Sequence, residues 1–256
     1  MPMNLAALFD EEKLLLHRLT DMVRISEKQK VTRFSAFLNE RQQAIAQELC
    51  RQNHVPNTLL FGGYSGAVRN MCGFFAVYDE PEPSAFPIRA LTLTYPENRT
   101  LSHRDFLGTL MGMGITREVV GDILPSPGRC VLFVAESVLD FVCQEIKTVG
   151  NTGVVCTQSF RESDLPVPEF KDLWGTVSSP RMDSFVKLVT NIAREKSADL
   201  IRAGLVQRNY NVVHSISEGF VPGDTVTIRG HGKFIVDDLG TPNKKGRIPV
   251  AVRKFV

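Results

Sequence analysis

Apolar residues at Leu15, Leu19 and Met22 recur four and three positions apart in an otherwise charged opening stretch, which predicts a helix capped by Asp10. A second helix follows. Asn39 and Gln42 stand in capping-box spacing ahead of Ile45, Leu49 and Cys50, and the helix must stop near Asn53, before Pro56. The period then changes to that of β structure. Residues 58–61 and 71–78 give two β-rich runs separated by Gly62, Gly63, Ser65 and Gly66, the signature of a hairpin. The pattern predicts a helical region over residues 1–56 and a hairpin that opens a second domain, residues 57–160.

Within that domain Leu91, Leu93 and Tyr95 alternate with Thr92 and Thr94, a half-buried strand. Ser102 and Asp105 start a helix with Phe106, Leu107 and Leu110 on its apolar stripe, and Gly114 is placed to end it. Residues 119–124 and 129–135 read as strands joined by Pro125-Ser-Pro-Gly128. Leu139, Val142 and Ile146 mark a helix ending at Gly150, and residues 154–158 close the unit as a strand. Strand, helix, strand, strand, helix, strand is the split β-α-β order of ferredoxin-like and RNA-recognition-motif-like (RRM-like) domains. Residues 161–180 carry Pro166, Pro168, Pro180 and Trp174, and read as a semi-extended linker. Beyond it, residues 181–256 form a last domain. Ser179 and Pro180 suit the start of a helix whose core face is Met182, Phe185, Val186 and Val189; a short helix over residues 194–203 ends at Gly204, and a glycine-rich β segment begins at Gly223-Asp224. The predicted class is α+β.

Composition adds little until charge is mapped along the chain. The 256 residues, 43% hydrophobic and 23% charged, are those of an ordinary globular protein of about two domains. No run approaches the roughly 20 apolar residues of a membrane span, the start mixes acids and cations among its leucines, and a cytoplasmic protein is expected. The five cysteines lack C-x-x-C spacing and sit among apolar neighbours, so they read as reduced core thiols. Charge is uneven. Residues 181–256 hold thirteen Lys and Arg against seven Asp and Glu, a surplus of six, while the whole chain is +2. Only this end of the chain is built to attract polyanions.

Several strings imitate catalytic motifs. His103-Arg104-Asp105 resembles a kinase catalytic loop, but Leu110 occupies the place of the required asparagine. In Gly63-Tyr-Ser-Gly-Ala67 an alanine replaces the last glycine of a nucleophile elbow, and a hairpin surrounds it. Gly230-His-Gly232 lacks the third glycine and the following helix of a dinucleotide loop. The five histidines have no ligand spacing. No catalytic residue, metal or cofactor is expected.

The basic end gives the positive signal. Arg194 and Lys196 open a helix whose first N–H groups point outward, an arrangement suited to phosphate oxygens, and Arg229, Lys233, Lys244, Lys245 and Arg247 lie on or beside the later hairpin. This segment resembles the S-four RNA-binding domain. The rest of the chain sharpens the resemblance. Phe37-Leu-Asn-Glu-Arg-Gln42, Phe61-Gly-Gly-Tyr64 with Ala67 and Arg69, and Leu101-Ser-His-Arg-Asp-Phe-Leu-Gly108 are similar to the YlmH family. So are Gly112-Met-Gly-Ile-Thr-Arg-Glu118, Gly121-Asp-Ile123 and Thr176-Val-Ser-Ser-Pro-Arg-Met-Asp183.

The resemblance implies a non-enzymatic RNA-binding protein of bacteria or plastids that binds structured RNA, rRNA or tRNA, and associates with the large ribosomal subunit. It also implies rescue of stalled subunits that still hold peptidyl-tRNA, and a link to cell division; no DNA partner is expected. The RNA contacts it implies are Arg181, Arg194, Lys196, Arg208, Asn209, Arg229, Lys233, Lys244, Lys245 and Arg247. The chain departs from the family at Ala193, where a serine is usual, at Ser197, and at Pro242-Asn243, which displace a lysine. Tyr95 and Phe133 stand alone on their strands, so the middle sheet offers no dense stacking platform. An RNA-modifying enzyme, a pseudouridine synthase or methyltransferase, is the first alternative, although neither its catalytic context nor a cofactor loop is visible. A protein-interaction scaffold linked to cell division is the second.

Overall fold

The computed structural model describes residues 9–166 and 169–255. The first eight residues of the expected helical region, Pro168 of the expected linker and the terminal Val256 lie outside them. The chain divides into two compact units, Met1–Pro166 and Val167–Val256.

In the first unit, helix α1 (Asp10–Gln29) carries Asp10, Glu11 and Glu12 in its first turn, where the helix dipole favours acids, and buries Leu19 and Val23. The short strand β1 (Arg33–Phe34) leads to α2 (Glu40–Gln52). The capping box read from the sequence is present: Asn39 Oδ1 accepts from Gln42 N at 2.9 Å and Gln42 Oε1 from Asn39 N at 2.8 Å. Strands β2 (Thr58–Phe61) and β3 (Met71–Phe74) form the hairpin, and β1 pairs with the far side of β3, giving a sheet in the order β1-β3-β2. That pairing joins residues on both sides of the boundary expected at 56/57. The helices and the hairpin share one core built from Leu19, Ala46, Leu49, Cys72 and Phe74.

Then come β4 (Ile88–Thr94), α3 (His103–Gly112), β5 (Val120–Ser126), β6 (Arg129–Ala135), α4 (Leu139–Glu145), the two-residue strands β7 (Thr148–Val149) and β8 (Thr152–Gly153), and β9 (Val155–Thr157). The four long-range strands pair antiparallel in the order β5-β6-β4-β9. Helix α4 is shorter than its apolar spacing predicts. Ile146 is already its C-cap in extended conformation, and Gly150, at φ 58°, turns β7 into β8 instead of ending the helix. One face of this sheet, with Leu91, Leu93, Leu132 and Val134, packs against Phe106, Leu110 and Val142 of the two helices. The other face, with Val131, Phe133 and Ala135, packs against Phe37, Met71 and Phe86. Burial on both faces explains why residues 130–134 read as an unbroken apolar run. Gly121 is required there, because a Cβ would lie 2.7 Å from the Phe37 ring. Next to it the buried Asp122 accepts from Tyr64 Oη at 2.8 Å and from the N–H groups of Val68 and Arg69 at 2.7 and 3.0 Å, which ties the hairpin loop to β5.

The second unit opens with β10 (Phe170–Val177), where the sequence predicts a linker. The strand pairs with β15 (Ile248–Phe255) along its whole length, from Phe170 opposite Phe255 to Val177 opposite Ile248. Helix α5 (Met182–Thr190) is capped by Arg181 two residues later than the Ser179-Pro180 start predicts, because Pro180 O accepts a bond from Phe220 N at 3.1 Å outside the helix. Helix α6 (Arg194–Arg202) ends before Gly204, which takes φ 69°. Strands β11 (Val206–Arg208), β12 (Asn211–Val212), β13 (Thr225–Ile228) and β14 (Gly232–Leu239) complete an antiparallel sheet ordered β10-β15-β14-β13-β11-β12. Met182, Phe185, Val186 and Ile201 of the helices cover one face of it, against Val226, Ile228, Phe234, Val236, Val250 and Val252.

Candidate nucleic-acid interface

Asp183, the second residue of α5, is 2% exposed and accepts five hydrogen bonds. Its oxygens take Arg181 Nε at 3.1 Å and Nη2 at 3.4 Å, Arg194 Nε at 3.0 Å and Nη2 at 2.8 Å, and Ser184 N at 2.9 Å. Burial pushes its carboxyl up, but the bonds and charges of Arg181 and Arg194 outweigh burial and hold it below the ordinary carboxylate range. One carboxylate thus fixes two guanidiniums. Arg181 stays 35% and Arg194 60% exposed at the side chain, so both keep an outward edge.

The turn between the helices brings this pair beside other cations. Asn191 ends α5 in the left-handed conformation at φ 57°, and Ala193 caps α6 without a side-chain acceptor for the first-turn N–H groups. A cleft of about 270 Å³ opens between α5 and the end of β10, with Lys187, Arg194 and Arg247 on its lining and no acidic residue among them. Arg247 is held at the rim by a bond from Nη2 to Thr176 O at 3.0 Å. The loop that carries it is ordered by Asn243, whose Oδ1 accepts from the N–H groups of Lys245 and Arg247 at 2.9 and 3.0 Å. The residue that displaces the family lysine therefore shapes the loop that presents Lys244 and Lys245, both exposed. Lys196 is exposed in the first turn of α6.

The other implied contacts lie elsewhere. Arg208 Nη2 pairs with Glu218 at 3.2 Å, and its Nη1 bonds to Gly219 O. Asn209, at φ 47°, donates from Nδ2 to the buried Asp224 at 2.6 Å and accepts from Thr225 N at 2.9 Å. These two residues close the segment 218–225 onto the sheet, and their polar atoms are committed inside the unit. Arg229 is exposed at the β13–β14 turn, and Lys233 lies over the rings of Tyr210 and Phe255, 5.1 and 5.3 Å from their centres. Both are at the opposite end of β14 from the loop with Lys244 and Lys245, roughly 23 Å away at the usual rise per strand residue. Lys187 was not singled out from the sequence. It lies outside the apolar stripe of α5, and only the neighbouring β10 turns its surroundings into a cleft.

Among the described residues, neither Phe133 nor Tyr95 of the middle sheet presents a face for a base to stack on. Phe133 is 1% exposed, stacked on Tyr64 with centroids 4.9 Å apart and capped edge-on by Phe160. Tyr95 is buried on the helix side, its Oη donating to Ser126 O at 2.8 Å.

Comparison with known proteins places this arrangement among relatives. Residues 81–162 match the family model described as "Putative RNA-binding domain in YlmH". The chain is 31% identical over 242 residues, 93% of each chain, to the Bacillus subtilis (strain 168) protein named ribosome-associated protein quality control protein P2. The fold is similar to that of the solved structure of the cell division protein ylmH from Streptococcus pneumoniae, with a TM-score of 0.55 and 17% identity over 62% of this chain and 97% of that one. With a relative of that identity aligned over nearly its full length, and the family's own domain matched across the middle sheet, the chain belongs to the YlmH family.

Proposed function

We propose that this chain is a non-enzymatic protein of the cytoplasm that binds structured RNA, rRNA or tRNA, through an S-four-type module formed by residues 167–256. On this reading it works on the large ribosomal subunit, in rescue of stalled subunits that still hold peptidyl-tRNA. The observation that carries the reading is the acid-free cleft with Lys187, Arg194 and Arg247, in which the buried Asp183 sets Arg194 in a fixed direction. Guanidiniums held in place lose little freedom on meeting a phosphate and offer paired donors to it. The name of the Bacillus subtilis relative, and the RNA-binding description of the matched domain, favour RNA and the ribosome over other polyanions. In the first unit, the antiparallel order β5-β6-β4-β9 supports an RRM-like assignment of the middle domain, used without the exposed aromatic face. Recognition then falls to backbone and 2′-hydroxyl contacts with a folded RNA, since the deep A-form groove excludes side chains.

The test is a salt titration of RNA affinity for the chain and for the double variant Lys187→Glu, Arg247→Glu, two exposed positions outside the core. Each lost phosphate contact should lower the slope of log affinity against log salt by about 0.7–0.9. The variant should bind structured RNA more weakly and cosediment less with large ribosomal subunits. Equal slopes and equal cosedimentation would place the RNA on another surface.

A further inference from the structure

Two arginines of the first unit converge on a single carbonyl. Val120 O accepts from Arg69 Nε at 2.9 Å and from Arg117 Nη1 at 3.2 Å, so those nitrogens are no farther apart than the two bonds laid end to end. Every other acceptor of the pair among the described residues is also a neutral carbonyl: Phe37 O and Arg117 O for Arg69 Nη2, and Gly121 O for Arg117 Nη1. Asp122, the acid beside them, is occupied by Tyr64 and by the N–H groups of Val68 and Arg69. Burial and the charge of Arg117 push the Arg69 guanidinium down to about 10 against the pull of Asp122, and burial with the charges of Arg117 and Arg69 lowers His103. Like charges thus face each other there, with Asp122 as the acid that partly offsets them.

A pocket of about 240 Å³ adjoins the pair, lined by Arg18, Arg69 and Arg117 and walled by Leu19, Met22 and Phe37. Its only acid among the described residues is Glu118, which pairs with Arg18 at 3.6 Å. Arg69 Nε and Nη2 and Arg117 Nη1 are committed to those carbonyls, whereas Arg69 Nη1 and Arg117 Nε and Nη2 carry no hydrogen bond among the described residues and are the donors that remain for a ligand. Two half-buried guanidiniums that line one pocket can each offer N–H groups to the oxygens of one phosphate group, and the apolar wall suits the organic part of an ester better than bare inorganic phosphate.

We propose that this pocket binds a phosphate ester, with Arg69 and Arg117 on the phosphate oxygens. The site is separate from the cleft of the second unit and does not depend on the reading of that cleft. A free nucleotide and an RNA backbone present the same group, and the experiment distinguishes them.

The full chain carrying Lys187→Glu and Arg247→Glu, which removes the competing cleft, is followed by thermal unfolding and by hydrogen exchange at fixed ionic strength. The probes are adenosine monophosphate, adenosine and a short single-stranded RNA. Adenosine monophosphate should raise the unfolding temperature and slow exchange at residues 117–121, adenosine should do neither, and Arg117→Gln should weaken binding about tenfold or more. Arg18→Gln, at a solvent-reaching position, serves as the second variant should Arg117→Gln unfold. Protection by the RNA but not by the mononucleotide assigns the phosphate to an RNA backbone and supports the site. No protection by either phosphate-bearing probe, or protection that survives both substitutions, overturns it.

Discussion

Replacing Asp183 by asparagine keeps the shape of the side chain and removes the charge that holds Arg181 and Arg194. Breaking a buried ion pair costs about 3–5 kcal/mol where both partners are enclosed. Here the carboxylate is enclosed but the arginines are 35% and 60% exposed, so water relieves part of the loss and about 2 kcal/mol is expected. For a unit of this size that lowers the unfolding temperature by roughly 8–16 °C. The sign of the pH dependence follows from the depressed carboxyl of the folded state. Its stabilisation is fully present above the unfolded carboxylate value of about 3.9 and disappears as pH falls through the lower folded value. The deficit of Asp183→Asn should therefore be constant near neutrality and shrink in acid. RNA affinity gives a second, opposed readout. The substitution makes the cleft more positive by one charge, so attraction alone would tighten binding, whereas loss of the anchored Arg194 should weaken it. Thermal unfolding from neutral pH into acid and a binding isotherm at one salt concentration decide the matter. A variant with unchanged stability, a deficit that grows in acid, or tighter RNA binding would refute the anchoring role.

Two further outcomes are expected. Asn209→Ala removes the bonds to Asp224 and Thr225 and leaves alanine at φ 47°, so it should cost about 2 kcal/mol in chemical denaturation while the folded protein binds RNA within about twofold of the parent; a large affinity loss with intact stability would return Asn209 to the binding face. Phe133→Ala should cost about 3–5 kcal/mol because the ring is enclosed between Tyr64 and Phe160, whereas Trp174→Ala, 77% exposed, should stay within about 0.5 kcal/mol; circular dichroism during urea unfolding measures both, and the reverse ranking would mean the burial of these two rings is misassigned.

What the sequence determined by itself was local. The Asn39–Gln42 and Ser102–Asp105 caps, the glycines that stop α3 and α6, and the alternation along β4 depend on neighbours within a few residues, and each is where its pattern places it. The concentration of positive charge in the last 76 residues is likewise a property of composition. Tertiary structure decided whatever depends on groups distant in the chain. The segment around Trp174 reads as a linker because prolines flank it, yet it becomes β10 once β15, some 80 residues later, supplies its hydrogen bonds. Phe133 could as well have faced solvent by its alternation, and the packing of Phe37 and Met71 from the first third of the chain buries it. The basic residues show the same division. Their number is written in the sequence, but Arg208 and Asn209 are drawn into internal bonds, Arg229 is carried to the far end of β14, and Lys187 is brought to the cleft with Arg194 and Arg247. Charge attracts a polyanion over many ångströms whatever its arrangement, whereas a phosphate contact needs donors within about 3 Å, and only the folded chain sets that distance.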